Sequence, residues 1–104
     1  MLAKDFTKLV DKNLNKIKNV LCKKTAEYNL DDDRLSVFKR AGELERCTPE
    51  QALFGFVSKQ IISISDYIIE ENYDKEKYYE KCIDIIAYML LLLALVEEHT
   101  EDNK

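Results

Sequence analysis

Two glycines and one proline in 104 residues leave little material for tight turns, so long helices are expected in place of a meander of strands. Tryptophan is absent, and the single histidine, His99, stands close to the end of the chain. A hydrolytic triad needs a base beside its nucleophile, and no other histidine exists to supply one. Gly42 and Gly55 are isolated inside helical patterns. They form no glycine-rich phosphate loop, and each is expected to let a neighbouring helix come close. Cys22, Cys47 and Cys82 are far apart, odd in number and without a ligand partner at metal spacing. That argues for reduced thiols and against a disulfide or zinc framework.

What is present fits one all-α domain over 1–104, with 1–4 and 99–104 expected to fray. A hydrophobic content of 46% beside 35% charged residues is that of a globular chain. Met1 to Phe6 has neither the apolar stretch nor the cleavage site of a secretory signal, so a cytoplasmic location is expected. The longest apolar run, Ile85 to Val96, spans 12 residues and is expected to be a buried helix, since a membrane span needs roughly 20. The net charge of −4 hides a split: residues 1–24 hold seven lysines against Asp5 and Asp11, and the remainder is strongly acidic. These surfaces could face one another within or between subunits, or the basic stripe could meet phosphate. Sequence-specific DNA binding is not expected, because the acidic body repels the duplex.

Four helices follow from periodicity. From Asp5 to Tyr28, Phe6, Val10, Leu14, Ile17, Leu21 and Tyr28 keep one helical face, with Lys8, Lys12 and Lys16 at four-residue steps on the polar side. Residues 29–33 are Asn and Asp with one Leu, which suits a loop, and a short helix is expected from Asp33 to Glu45. Thr48, Pro49 and Gln51 spell a capped start, predicting a third helix to about Glu71 with apolar residues on two sides. The fourth is expected from Lys75 to Glu98, apolar nearly all round after Cys82. A central fourth helix and a broad-faced third expose more apolar surface than two small neighbours bury. The small bundle is therefore expected to be completed by homo-oligomerisation.

Two groups of residues could carry chemistry. Lys59, Asp66 and Asp84, with Glu80 one turn before Asp84, interrupt apolar helices and could form one buried cluster. That cluster would be either a register-fixing polar network or a ligand site. Carboxylates without histidine favour magnesium and hence phosphate substrates, and a lysine beside them could hold a phosphate. The second group is the first loop and its flank, where Tyr28, Asn29, Arg34 and Lys39 offer a ring, an amide and two cations to a nucleotide-like ligand. An ordinary capping loop would account for the same residues.

The ordered pattern Glu27-Tyr28, Asp33-Arg34-Leu35, Phe38-Lys39, Ala41, Thr48-Pro49-Glu50, Ala52-Leu53, Gly55, Lys59, Ser63-Ile64, Asp66, Asp84, Tyr88 and Leu91-Leu92 resembles a group of small all-helical phage and prophage proteins. Through Lys59 and the stretch from Asp84 to Tyr88 it is distantly similar to the MazG-type nucleotide pyrophosphohydrolases. The resemblance implies an oligomeric helical bundle. In the MazG-type enzymes paired acidic motifs hold magnesium for cleavage of nucleoside triphosphates; here the pairs would be Asp66 with Glu70 and Glu80 with Asp84, each four apart where the enzymes use three. Gln60 and Ala87 stand where the phage group tends to have histidine and asparagine. The first expectation is a non-enzymatic accessory or anti-defence protein without a cofactor, binding a host protein or a nucleotide-like small molecule. A magnesium-dependent pyrophosphohydrolase is the alternative.

Overall fold

The computed structural model describes residues 1–28 and 33–102, those at 23–28 and 102 by their backbone alone. Among the described residues four helices form: α1 (Ala3–Tyr28), α2 (Ser36–Glu45), α3 (Pro49–Ile69) and α4 (Lys75–Asp102). This is the all-α bundle expected from the periodicity. α1 starts earlier and α4 ends later than the apolar pattern, because no breaker interrupts either end. Thr100 is itself helical, its hydroxyl bonding back to the carbonyl of Val96 at 3.0 Å. α2 starts three residues later than expected because Asp33 makes a turn, its Oδ1 accepting from the Leu35 N–H at 2.9 Å. Of the expected loop over 29–33, all but Asp33 lies outside the described residues.

The start of α3 is the capping box read from the sequence. Thr48 Oγ1 accepts from the Gln51 N–H at 3.1 Å, Gln51 Oε1 accepts from the Thr48 N–H at 2.9 Å, and Pro49 occupies the first turn. α2 and α3 end alike. Cys47 N–H reaches back to the Gly42 carbonyl at 2.8 Å and Asn72 N–H to that of Tyr67 at 2.9 Å. These six-residue closures need a left-handed residue just before the donor. With glycine so scarce the position falls to Arg46 (φ 56°) and Glu71 (φ 54°).

α3 and α4 form an antiparallel hairpin, with Phe56 stacked on Tyr88 at 6.3 Å and Phe38 of α2 edge-on to both rings. Beneath lie Leu35, Phe38, Leu53, Val57 and Leu95, with Leu53 and Val57 wholly shut from solvent. α1 packs on α4 alone, through a separate cluster of Ile17, Ile83 and Ala87. One chain leaves both long apolar helices partly open. α3 is covered on one side only, burying Ala52, Leu53 and Val57 while Phe54, Ile61, Ile62, Ile68 and Ile69 stay open. The run from Ile85 to Val96 is not a buried helix within one chain, since Leu90, Leu93 and Val96 are exposed. The reason is shape: α2 spans ten residues and flanks only half of the hairpin, so nothing occupies the fourth corner at the other end. By length and composition the helix that could cross a membrane is α3, not α4.

The glycines differ in role. A Cβ on Gly42 would meet the Cys47 carbonyl oxygen at 2.8 Å and the Pro49 nitrogen at 3.2 Å, whereas one on Gly55 would meet nothing within 4 Å. Gly42 thus permits close approach as expected, and Gly55 does not. Gly42→Ala is expected to destabilise by about 1–3 kcal/mol through overpacking against rigid backbone. Gly55→Ala should stabilise by roughly 0.5–1 kcal/mol, and Arg46→Gly by up to about 1 kcal/mol through relief at the left-handed position. Urea unfolding of the three variants measures all three signs.

Candidate functional site: a lysine-lined groove between the first and last helices

α1 and α4 run side by side in the same direction, with Leu9 and Asn13 beside Lys75 and Tyr79, and Ile17 against Ile83 and Ala87. The two helices touch along a narrow strip, and the long side chains flanking it enclose an open groove of about 600 Å³. Lys12, Asn13, Lys16 and Val20 form its α1 wall; Lys75, Glu76, Tyr79, Glu80, Ile83 and Asp84 form the α4 wall.

Lys12 and Lys16 lie one turn apart on α1, as Lys75 and Tyr79 do on α4, so each pair presents on a single face. Packing brings the pairs together around the Tyr79 ring. The Nζ atoms of Lys16 and Lys75 are each 5.6 Å from its centroid and that of Lys12 is 6.0 Å away. The negative face of an aromatic ring attracts ammonium groups, by about 0.5–1 kcal/mol each at exposed sites. Among the described residues none of the three has a carboxylate within ion-pair distance. The ion pairs among the described residues join Lys39 to Asp33 and Glu98, and His99 to Glu50. Glu76, Glu80 and Asp84 line the groove without reaching these ammoniums, so the opposed charges of the chain do face each other across α1 and α4, but loosely. Asn13, half-buried in the wall, has an Oδ1 that is shut from solvent and accepts no hydrogen bond. Gathered lysines act as point charges, and this arrangement suits a compact anion such as a phosphate.

Of the residues singled out from the sequence as ligands, Glu80 and Asp84 line this groove, and the others are placed elsewhere or otherwise engaged. Tyr28 closes α1, and Asn29 lies outside the described residues. The Arg34 Nη2 donates to the Leu21 carbonyl of α1, tying the start of α2 to the first helix. Lys39 Nζ holds Asp33 at 2.7 Å and Glu98 at 2.5 Å, bolting α2 to the end of α4. Lys59 is exposed beside a shallow pocket of about 140 Å³ shared with Glu45 and Phe56. Asp66 is exposed on α3 and Glu70 just past its end, while on α4 Glu80 is exposed and Asp84 half-buried. The expected buried cluster of Lys59, Asp66 and Asp84 does not form, because Lys59 and Asp66 lie on an exposed face of α3; among the described residues no charged side chain is buried. Among the described residues no three His, Cys, Asp or Glu side chains stand where they could hold a metal ion, so Asp66, Glu70, Glu80 and Asp84 are not assembled as ligands. Cys22, Cys47 and Cys82 are free thiols.

Tyr79, Lys75 and Asn13 were missed. The four-residue steps of Lys12 to Lys16 and of Lys75 to Tyr79 were visible in the sequence, but the register that joins them was not. No protein-family model matches the chain, and neither a curated protein nor a solved structure does.

The Lys39 bolt has a testable pH signature. The hydrogen bond from Lys39, and then that from the Leu35 N–H, hold the Asp33 carboxyl below its ordinary 3.8. Its contribution is complete above that value and fades as pH falls through the lower folded value. Hydrogen bonds to Asp33 and Glu98 raise Lys39 above its ordinary 10.5, so its contribution is complete below 10.5 and is lost as pH rises through the higher folded value. The melting-temperature gap between the wild type and Lys39→Met should be level from about pH 4 to 10 and narrow on both flanks. Because all three side chains are more than a third exposed, the gap should be small and shrink in high salt.

Proposed function

We propose that this chain is a non-enzymatic accessory module of the kind phages encode, an anti-defence protein of the host cytoplasm that works as a homo-oligomer and holds a nucleotide-like anion in the groove between α1 and α4. The observation that carries the binding reading is the convergence of Lys12, Lys16 and Lys75 on Tyr79 with no carboxylate among the described residues in ion-pair contact. The three ammoniums share the groove with Glu76, Glu80 and Asp84 but pair with none of them, so each is still open to an arriving anion. The phage and anti-defence parts rest on the sequence resemblance.

Oligomerisation is supported by what one chain leaves open. Phe6 and Leu14 on α1, Ile62 and Ile69 on α3 and Leu93 on α4 are each more than half exposed. Apolar surface on this scale marks contact with another molecule. Lys59 and Asp66 sit within α3, and a charge at the centre of a bilayer costs about 2.5–3.5 kcal/mol, which favours sister chains over lipid as the cover.

Inorganic pyrophosphate titrated into the full-length protein at low salt should bind, with Lys16→Gln and Lys75→Gln each weakening the affinity by about tenfold and Lys8→Gln leaving it unchanged. Absence of binding, or equal loss with Lys8→Gln, overturns the groove reading. Release of pyrophosphate from nucleoside triphosphates in magnesium would install the pyrophosphohydrolase in its place. Sedimentation at micromolar concentration should give an assembly, and a well-folded single subunit would remove the oligomer.

A further inference from the structure

We infer that the open back of α3 is a self-complementary seam on which a second copy of this chain docks, α3 against α3 and antiparallel, about a two-fold axis between Ile61 and Ile62. This rests on the oligomer reading above and specifies its interface. Phe54, Ile61 and Ile68 recur at seven-residue steps, Ile62 and Ile69 repeat that step one position on, and Ser58 and Ser65 stand between the two rows. A seven-residue repeat keeps one face of a helix turned towards a partner helix. The face lies opposite Leu53 and Val57, which point into the core, and its large residues, Phe54 and the four isoleucines, are 46% to 76% exposed.

The spacing matches itself when reversed. With the axis between Ile61 and Ile62, these two meet each other across the seam, Ser58 meets Ser65, Phe54 meets Ile69 and Ile68 meets Gly55, so every large side chain has an apolar or small counterpart. A two-fold contact between identical surfaces requires such self-complementarity. Charge selects the same arrangement. Lys59 and Asp66 are exposed along one edge of this face, seven residues apart, and among the described residues neither makes an ion pair. In an antiparallel pair like edges meet, which sets Lys59 beside Asp66 of the second copy, offset by about 3 Å along the helix at a rise of about 1.5 Å per residue. The two-fold makes that pair twice. A parallel pair would turn this edge to the other edge of the mate, where Val57 and Ile64 offer no charge. Lipid would meet both charges with hydrocarbon.

Sedimentation equilibrium of the full-length protein and its variants, each checked for helical content by circular dichroism, tests the seam. Ile62→Glu sets a carboxylate beside the axis in each copy and should weaken self-association by about 100-fold or more. Lys59→Asp and Asp66→Lys should each weaken it about tenfold, because each sets like charges across the seam twice. Combining the two, Lys59→Asp with Asp66→Lys, should restore it to near the wild-type value. A well-folded wild-type monomer removes this seam and the oligomer reading together. Assembly that Ile62→Glu leaves untouched overturns the seam alone and puts the contact on another face. No loss in the single charge variants, or loss without recovery in the swap, overturns the antiparallel register. Flotation of the wild type with phosphatidylcholine vesicles overturns the second copy in favour of lipid. Should Ile62→Glu fail to fold, the charge swap on exposed residues still decides.

Discussion

Ile83 and Ala87 near the middle of α4 and Leu95 beyond them are buried in different clusters, the first two with Ile17 of α1 and the last with Leu35, Phe38, Leu53 and Val57. α4 is therefore shared between two small cores that do not merge. Full burial of one aliphatic side chain contributes about 1.5–3 kcal/mol, so the α1 cluster, with so few members, holds the first helix by only a few such increments. Arg34 adds a polar tie from the start of α2 to the Leu21 carbonyl. α1 meets none of the other helices, and the groove exists because its contact with α4 is this narrow.

The same economy explains the exposed surface. A ten-residue α2 shields the early turns of α3 and the late turns of α4, where the aromatic trio of Phe38, Phe56 and Tyr88 closes the core. At the opposite end a second aromatic group, Tyr67, Tyr73 and Tyr78, gathers at the α3–α4 link. Apolar residues are left open on all four helices, and sister chains are the proposed cover.

Glycine scarcity runs through the backbone as well. A helix ending in a left-handed residue normally recruits glycine, yet Arg46 and Glu71 take those positions and the two glycines sit inside helices. Gly42 has a packing reason in the close approach of the segment from Cys47 to Pro49, and Gly55 has none. Here stability has been spent without an evident structural return.

The helices, the Thr48 capping box and the all-α class were legible in the sequence because they are local: they depend on 3.6-residue periodicity and on groups three or four residues apart. The long-range site was not. Lys59 with Asp66, or Arg34 with Lys39, looked like chemistry because of their neighbours along the chain, but α2 and α4 claim Lys39, α1 claims Arg34, and nothing covers Lys59 or Asp66. By itself the sequence determined which segments become helices and how much apolar surface they carry. Only the tertiary structure decided that α1 lies parallel to α4 in the register that sets Lys12 and Lys16 beside Lys75 and Tyr79, because such a register is fixed by the side-chain packing of Ile17 on Ile83 and Ala87, which local pattern does not encode.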